Sequence, residues 1–586
     1  MTDWEIPISA TGLLQRFAAA RMIALPDYHL ARTLAYQFNE HRKEALLAFA
    51  LVTREVRLGS VCLNLAAATS LLPEYDGETM PTGQPELPWP DLTSWLGILA
   101  SSPAVAGPAG PSRPFRLADS LLYLGRFWDE EQRLLQRFAT RATQPNLPID
   151  PAALQRAQPP AHFSPDPNQD AAVEAVLSQQ SVVITGGPGT GKSTTVARVV
   201  QALAGGNSPA RIALAAPTGK AVARLAAALA ETDPQAGLLP AQIATLHSLI
   251  GMRPGSDQRS YNLENPLPYD AVIVDETSMV SLSVMVALLE AVAADTRLVL
   301  IGDPYQLSSV TAGSVLADIA AGGLGETGPK IVELTHNRRS NNDITALATA
   351  IRHGDLTAAK AALADSDSCS LVAFDGTQSL TAYPELAEII GHTAERVLTA
   401  AAAGQGAAAL AALEDHRLLC GHRDGPFGVS HFTRETRRYL SRRLPRLALR
   451  QRHYVGQPLL VTRNSTHAKN GDTAVITNEA DQLWAYVGGA DQPRRLPLAA
   501  LESTAELYAM TIHKSQGSQY DQVTVVLPPL GSPLLTRELV YTAVTRAKRQ
   551  VRLLGSLAQL SAAIATPTRR ASGIDHYRTA AIEAAT

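Results

Sequence analysis

Residues 181–204 read SVVITGGPGTGKSTTVARVVQALA, and this stretch decides the fold. A short apolar run, SVVIT, ends in a glycine-rich turn and passes near Lys192 into a segment with helical spacing of apolar residues. Strand, glycine turn and helix in that order, with the full pattern GxxxxGKS, form a phosphate-binding P-loop. Its backbone N–H groups turn inward around phosphate oxygens, and the helix dipole adds partial positive charge. Gly187, Gly189, Thr190 and Gly191 are the expected cradle, with Thr194 in the first turn behind it. Lys192 is expected to neutralise the outer phosphates of ATP and Ser193 to ligate Mg²⁺.

Working outward, the apolar runs RIALAAP, AVIVDE and RLVLIGD alternate with helical stretches from 181 to 339. Such alternation predicts a parallel sheet with helices on both faces. Asp275 and Glu276 close the AVIVDE strand, where one carboxylate holds Mg²⁺ and a second polarises an attacking water. Glu276 therefore points to hydrolysis. Gln306, in GDPYQL after a further strand, suits a sensor of the terminal phosphate, although an Asp-Pro turn capping the next helix would also explain the motif. A second α/β unit is expected from about 345 to 565, interrupted at about 445–503 by short β-like runs (QPLLVTR, TAVIT, LWAYVG). Residues 11–70 read as helical, and 72–113 as an irregular Pro-, Gly- and Ser-rich stretch. The expected division is a helical N-terminal domain over 1–113, a first α/β domain over 114–345 and a second over 346–586.

Composition narrows the class without naming it. Hydrophobic residues make up 46% and charged residues 18%, as in soluble globular proteins, and no apolar stretch is long enough for a membrane span. The formal net charge of −3 gives no global basic field, so any nucleic-acid contact must come from a local groove. Three scattered cysteines without CxxC spacing argue for a reducing compartment, and the N-terminus lacks the features of a signal peptide, so a cytoplasmic location is expected. No Asp/Glu cluster of the metal-nuclease kind stands out.

The motifs in this order resemble the superfamily 1 helicases, specifically the 5′→3′ branch. Over nearly its whole length the chain is similar to the alpha subunits of exodeoxyribonuclease V, the RecD family. The resemblance rests on LYLGRFW, Asn168-Gln169, GGPGTGKST, APTGKAVARL, ATLHSLIG, NPLPYDAVIVDETSM, GDPYQL, RLLCGHRDGPFGV, GQPLLVTRN, NGD, TIHKSQGS, YTAVTRAK and the closing RRASGI.

That resemblance implies an α/β fold of two RecA-like P-loop NTPase domains, the second carrying a small SH3-like insertion and the pair preceded by a helical domain. It implies an ATP- and Mg²⁺-dependent motor that moves 5′→3′ on DNA in double-strand-break repair. RecB-like and RecC-like subunits would complete a heterotrimer, with the nuclease in a partner and the N-terminal domain docking on the RecC-like chain. Residue by residue, Gln169 matches the adenine reader, and Arg339 and Arg546 match two arginines that reach the γ-phosphate. Pro217, Thr218, Lys220, Thr245, His247, Thr511 and His513 match contacts to the single strand, and Gly517 a nucleotide contact. Arg463, Asn464 and Asn470 in the insertion are further DNA candidates that serve equally well as turn formers. Gln519 stands where the family commonly has Glu, and the 251–270 segment, a wedge in related motors, is short. A free-standing helicase and a structural ATP-binding subunit remain alternatives.

Overall fold

The computed structural model describes residues 6–74, 86–158, 166–204, 210–232, 242–253, 258–337, 342–480, 482–489, 493–568 and 570–574. The P-loop strand Ser181–Gly186 lies inside a six-stranded, all-parallel sheet. The spatial order is Lys330–Leu334, Ser181–Gly186, Arg297–Gly302, Ala271–Val274, Ile212–Ala216, Gln242–Thr245. Its inner strands are apolar on both faces because both faces are covered. Val182 and Ile184 pack with Val196, Val199 and Val200 of the P-loop helix Lys192–Ala204. Val183 points the other way, into a core with Met285 and Leu288 of the helix Leu282–Ala291. Parallel strands bring all their C-terminal ends to one edge, so Gly186, Asp275 and Asp303 emerge along the same rim.

The second motor domain repeats the plan with five parallel strands in the order Cys369–Val372, Ala547–Leu554, Tyr520–Val526, His416–Cys420, Met510–Thr511. Its insertion is a five-stranded antiparallel sheet ordered Arg494–Pro497, Gln482–Val487, Thr473–Glu479, Pro458–Val461, Thr504–Glu506. It thus begins and ends somewhat later than the hydropathy pattern indicates.

The N-terminal domain departs from three expectations. Helices Gly12–Ala19, Leu25–Gln37 and Lys43–Arg57 form as anticipated, but Cys62–Asn64 is a strand rather than helix. It pairs with Leu121–Leu124, which pairs with Phe115–Ala118, so the domain runs past the boundary expected at 113. The stretch expected to be irregular contains the helix Leu92–Ala100, capped by Asp91, whose Trp95 and Leu99 are fully buried. Trp95 donates its indole N–H to the Glu44 carbonyl at 2.7 Å, a tertiary contact invisible to local periodicity.

At the other end, residues 570–574 return to this domain. Val61 donates its amide to the Ala571 carbonyl at 2.8 Å, and Gly573 donates to Glu131 at 2.9 Å. Among the described residues no helix is long and apolar enough to cross a membrane.

Candidate ATP site and nucleic-acid groove

Two glycines of the P-loop, Gly189 and Gly191, have φ of 86°, a conformation that side-chain-bearing residues adopt at a cost. At Gly191 a Cβ would also lie 2.2 Å from the Gln169 amide nitrogen, so that side chain would have to leave the loop. Gln169 thus sits against the loop, its Nε2 donating to the Thr190 carbonyl at 3.5 Å. Asp166 caps the helix Pro167–Ser178, its carboxylate accepting from both the Asn168 and the Gln169 amides. Gln169 keeps its side chain for the loop. The Lys192 ammonium donates to the carbonyls of Gly186 at 2.6 Å and Gly187 at 2.9 Å. Ser193 and Thr194 follow in the first turn of the same helix.

Asp275 leaves the end of its strand with its amide donated to the Ala215 carbonyl at 2.9 Å. Burial and the neighbouring Glu276 push its carboxyl up to about 6, opposed by the Lys192 ammonium. Its hard carboxylate oxygens, with the Ser193 hydroxyl of the P-loop helix, are a donor set that suits Mg²⁺. Glu276 has φ 52° and ψ 38°, the left-handed region, without being glycine. Such strain persists where the surroundings fix it, as at catalytic positions.

Gln306 is buried, and its amide donates to Asp303 at 2.9 Å. Its Oε1 accepts from the Arg546 guanidinium at 2.8 Å, joining the two motor domains. Arg546 is itself held by the carbonyls of Thr542 at 3.0 Å and Ser518 at 3.3 Å, and burial pulls its pKa down. Three more bonds cross the same cleft: Tyr541 to Asp303 at 3.0 Å, the Leu307 amide to Thr542 at 2.9 Å, and Gln516 to the Leu307 carbonyl at 2.6 Å. A Cβ on Gly187 would stand 3.0 Å from the Tyr541 hydroxyl, so that ring overlooks the P-loop. Sequence reasoning misses Asp303, Tyr541 and Thr542, although the first lies in GDPYQL and the others in YTAVTRAK. It misses Arg224 too, which is close enough to Asp275 and Arg546 to act on both. Arg339 lies outside the described residues.

The strand-contact candidates are drawn from both α/β domains. Thr218 accepts the Ala221 amide at 3.2 Å and Thr245 the Ser248 amide at 3.4 Å. Each hydroxyl caps a helix through its lone pair, which leaves its proton available to donate. Pro217 is half-buried beside Thr218, and His247 is exposed on the short helix after Thr245. Lys220 reaches across to the second domain, its ammonium 5.9 Å from the centre of the Tyr520 ring. Gly517, expected among the nucleotide contacts, stands against the first domain, where a Cβ on it would meet Ala221 at 3.9 Å and Thr218 at 4.0 Å. Thr511 ends its strand, and His513 follows in a tight turn where burial, Arg570 and Arg423 lower its pKa.

In the insertion, Arg463, Asn464 and Asn470 are exposed, and Asn464 also forms the turn by accepting the Asn470 amide at 2.8 Å. The residue that reaches the first domain is their neighbour Lys469. A Cβ on Gly219 would come within 2.5 Å of its stem. In the short 251–270 segment, Ser260 donates to Gly251 and Tyr261 to Ile250, and residues 254–257 lie outside the described set.

Residues 19–123 match the family described as RecBCD enzyme subunit RecD, N-terminal domain. Residues 169–312 match an AAA domain and 506–554 a UvrD-like helicase C-terminal domain. The RecBCD enzyme subunit RecD of Mycolicibacterium smegmatis is 43% identical over 96% of this chain and 98% of its own length. The chain belongs to the RecD family. The RecD subunit of Mycobacterium tuberculosis is 40% identical, over 98% of both chains. An ATP-dependent RecD2 DNA helicase from Deinococcus radiodurans is 28% identical over 70% of this chain but only 52% of its own. Among solved structures, the Pif1 helicase from Bacteroides with ADP-AlF3 and ssDNA aligns over 72% of this RecD-family chain and 97% of its own. Identity there is 16% and the TM-score 0.41.

Proposed function

We propose that this chain is the 5′→3′ motor subunit of a RecBCD-type helicase–nuclease, assembled in the cytoplasm with RecB-like and RecC-like subunits. As a RecD-family protein it is an ATP-dependent DNA helicase. The observation that carries the motor reading is the chain Asp303–Gln306–Arg546, which joins the two α/β domains beside the P-loop. A group that senses the terminal phosphate is thereby bonded to an arginine of the opposite domain.

The loop amides and Lys192 bind the phosphates, Gln169 orients the base, and Glu276 accepts a proton from the attacking water. Ser193 and Asp275 would hold Mg²⁺, which, when bound, supplies charge neutralisation at the phosphates. Arg546 and Arg339 act on charge that develops at the γ-phosphate, and arginines in this role contribute about 10³ to 10⁵ in rate. Contacts made only when the domains close select the closed state, and loss of the γ-phosphate releases it. Thr218, Thr245 and Thr511, gripping the strand in alternation from two domains, convert closure into movement.

The test is co-expression with RecB-like and RecC-like subunits, followed by unwinding of 5′- and 3′-tailed duplexes. With the partner motor disabled, ATP-dependent unwinding of the 5′-tailed duplex alone is the expected result. Unwinding of only the 3′-tailed duplex would overturn the assigned direction, and failure to co-purify would overturn the assembly.

A further inference from the structure

A concentration of positive charge lies outside the groove just described. Between Arg434 and Arg452 the chain places eight arginines and one carboxylate, Glu435, although its overall formal charge is −3. The helix Val429–Arg443 buries Phe432, Thr436 and Leu440 in the second motor domain. Its opposite face presents Arg434, Arg438 and Arg442, all exposed and four residues apart. At about 1.5 Å of rise per residue, successive guanidiniums stand about 6 Å apart along one line. Arg446, Arg450 and Arg452, also exposed, continue the surface beyond the helix.

Ion pairing accounts for three of the eight: Arg437 with Glu506, Arg438 with Glu435, and Arg443 with Glu388. Among the described residues, Arg434, Arg442, Arg446, Arg450 and Arg452 have no carboxylate within ion-pair distance.

We propose that this arginine face is a second nucleic-acid surface, which holds the phosphate backbone of DNA outside the motor groove. It rests on the DNA-motor reading and adds a contact surface to it. The cations are all guanidiniums, whose planar fork matches phosphate oxygens two at a time. Residues 429–453 expose no large hydrophobic side chain, whereas a protein–protein interface centres on apolar or aromatic anchors. The helix is also tied at its start to the residues that follow the strand His416–Cys420, whose Cys420 pairs with the strand-contact candidate Thr511. Val429 donates to the His422 carbonyl at 3.1 Å and Ser430 to that of Arg423 at 2.9 Å, and Arg423 is one of the guanidiniums that act on His513.

The experiment compares the full chain with its R434A/R442A/R446A variant, three of the unpaired cations, by fluorescence anisotropy across a salt series. One probe is a single strand of about 8 nucleotides, enough to fill a groove, and the other is a strand long enough to extend past it. The variant should bind the short strand like the wild type. Its affinity for the long strand should fall about fivefold or more, with a salt slope smaller by about 2, for three lost phosphate contacts. The matching triple lysine variant should keep the wild-type slope. Unchanged affinity and slope for the long strand in the alanine variant would overturn the proposal. So would loss confined to capture of RecB-like or RecC-like subunits, which would make the face a protein interface. A wild-type chain that bound neither strand would instead remove the motor reading.

Discussion

Replacing Tyr541 by phenylalanine removes one hydroxyl from the closed cleft and keeps the ring that overlooks the P-loop. The Asp303 carboxylate accepts from Tyr541 at 3.0 Å, from Gln306 at 2.9 Å and from the Tyr305 amide at 3.1 Å. A hydrogen bond to a buried charge is worth about 1.5–3 kcal/mol. Two donors remain on Asp303 in the variant, so the lower end applies, about 1.5 kcal/mol. Tyr541 and Asp303 belong to different motor domains, and the loss therefore falls on the closed state. At about 1.4 kcal/mol per factor of ten, apparent nucleotide affinity weakens about tenfold. The hydroxyl touches Asp303 rather than the γ-phosphate, so kcat at saturating ATP should change less than about threefold, against about 10³ or more for Arg546→Ala. Strand-stimulated ATPase measured over a range of ATP concentrations separates the two parameters. A collapse of kcat with KM unchanged, or no change in either, would refute this reasoning.

Three further outcomes are expected. Gly191→Ala, with φ 86° and a Cβ only 2.2 Å from Gln169, should abolish nucleotide binding in equilibrium titration while the fold persists by circular dichroism. Lys469→Ala should weaken single-strand binding at low salt several-fold and leave strand-independent ATPase within about twofold, because its stem lies on Gly219 rather than at the P-loop. His416, buried and bonded to Thr524 at 2.9 Å, has its pKa lowered to about 3, chiefly by burial and then by Arg417 and Arg552. Below its ordinary value of 6.5 the unfolded chain binds a proton that the folded chain refuses, so stability falls as pH drops from 6.5 towards 3. By pH 5 this costs about 2 kcal/mol, and denaturant melts of wild type and His416→Gln at the two pH values should show the slope reduced in the variant.

The P-loop, the parallel sheets and the β insertion are legible in the sequence because each is encoded locally: a glycine turn between strand and helix, then apolar runs at regular intervals. The N-terminal boundary is not. Leu92–Ala100 is a helix because Trp95 and Leu99 find a buried site against distant residues, and proline-rich flanks hide that from any window. Site residues divide in the same way. Lys192, Asp275 and Gln306 stand in motifs of their own, whereas Lys469 gains its meaning from Gly219 and Tyr541 from Asp303, contacts that only the tertiary fold makes. Gly517 is named by its motif, while its neighbours Thr218 and Ala221 come from the other α/β domain and only the tertiary fold reveals them.

The central claim is that one closed P-loop site drives movement along DNA, and Lys192→Gln tests it most directly. The variant removes the ammonium that donates to Gly186 and Gly187 and leaves the loop backbone in place. In complex with its partners, and with the partner motor disabled, it is measured for strand-stimulated ATPase and for unwinding of a 5′-tailed duplex. Both activities should disappear together while single-strand binding without nucleotide is retained. Unwinding that survives the substitution would contradict the account.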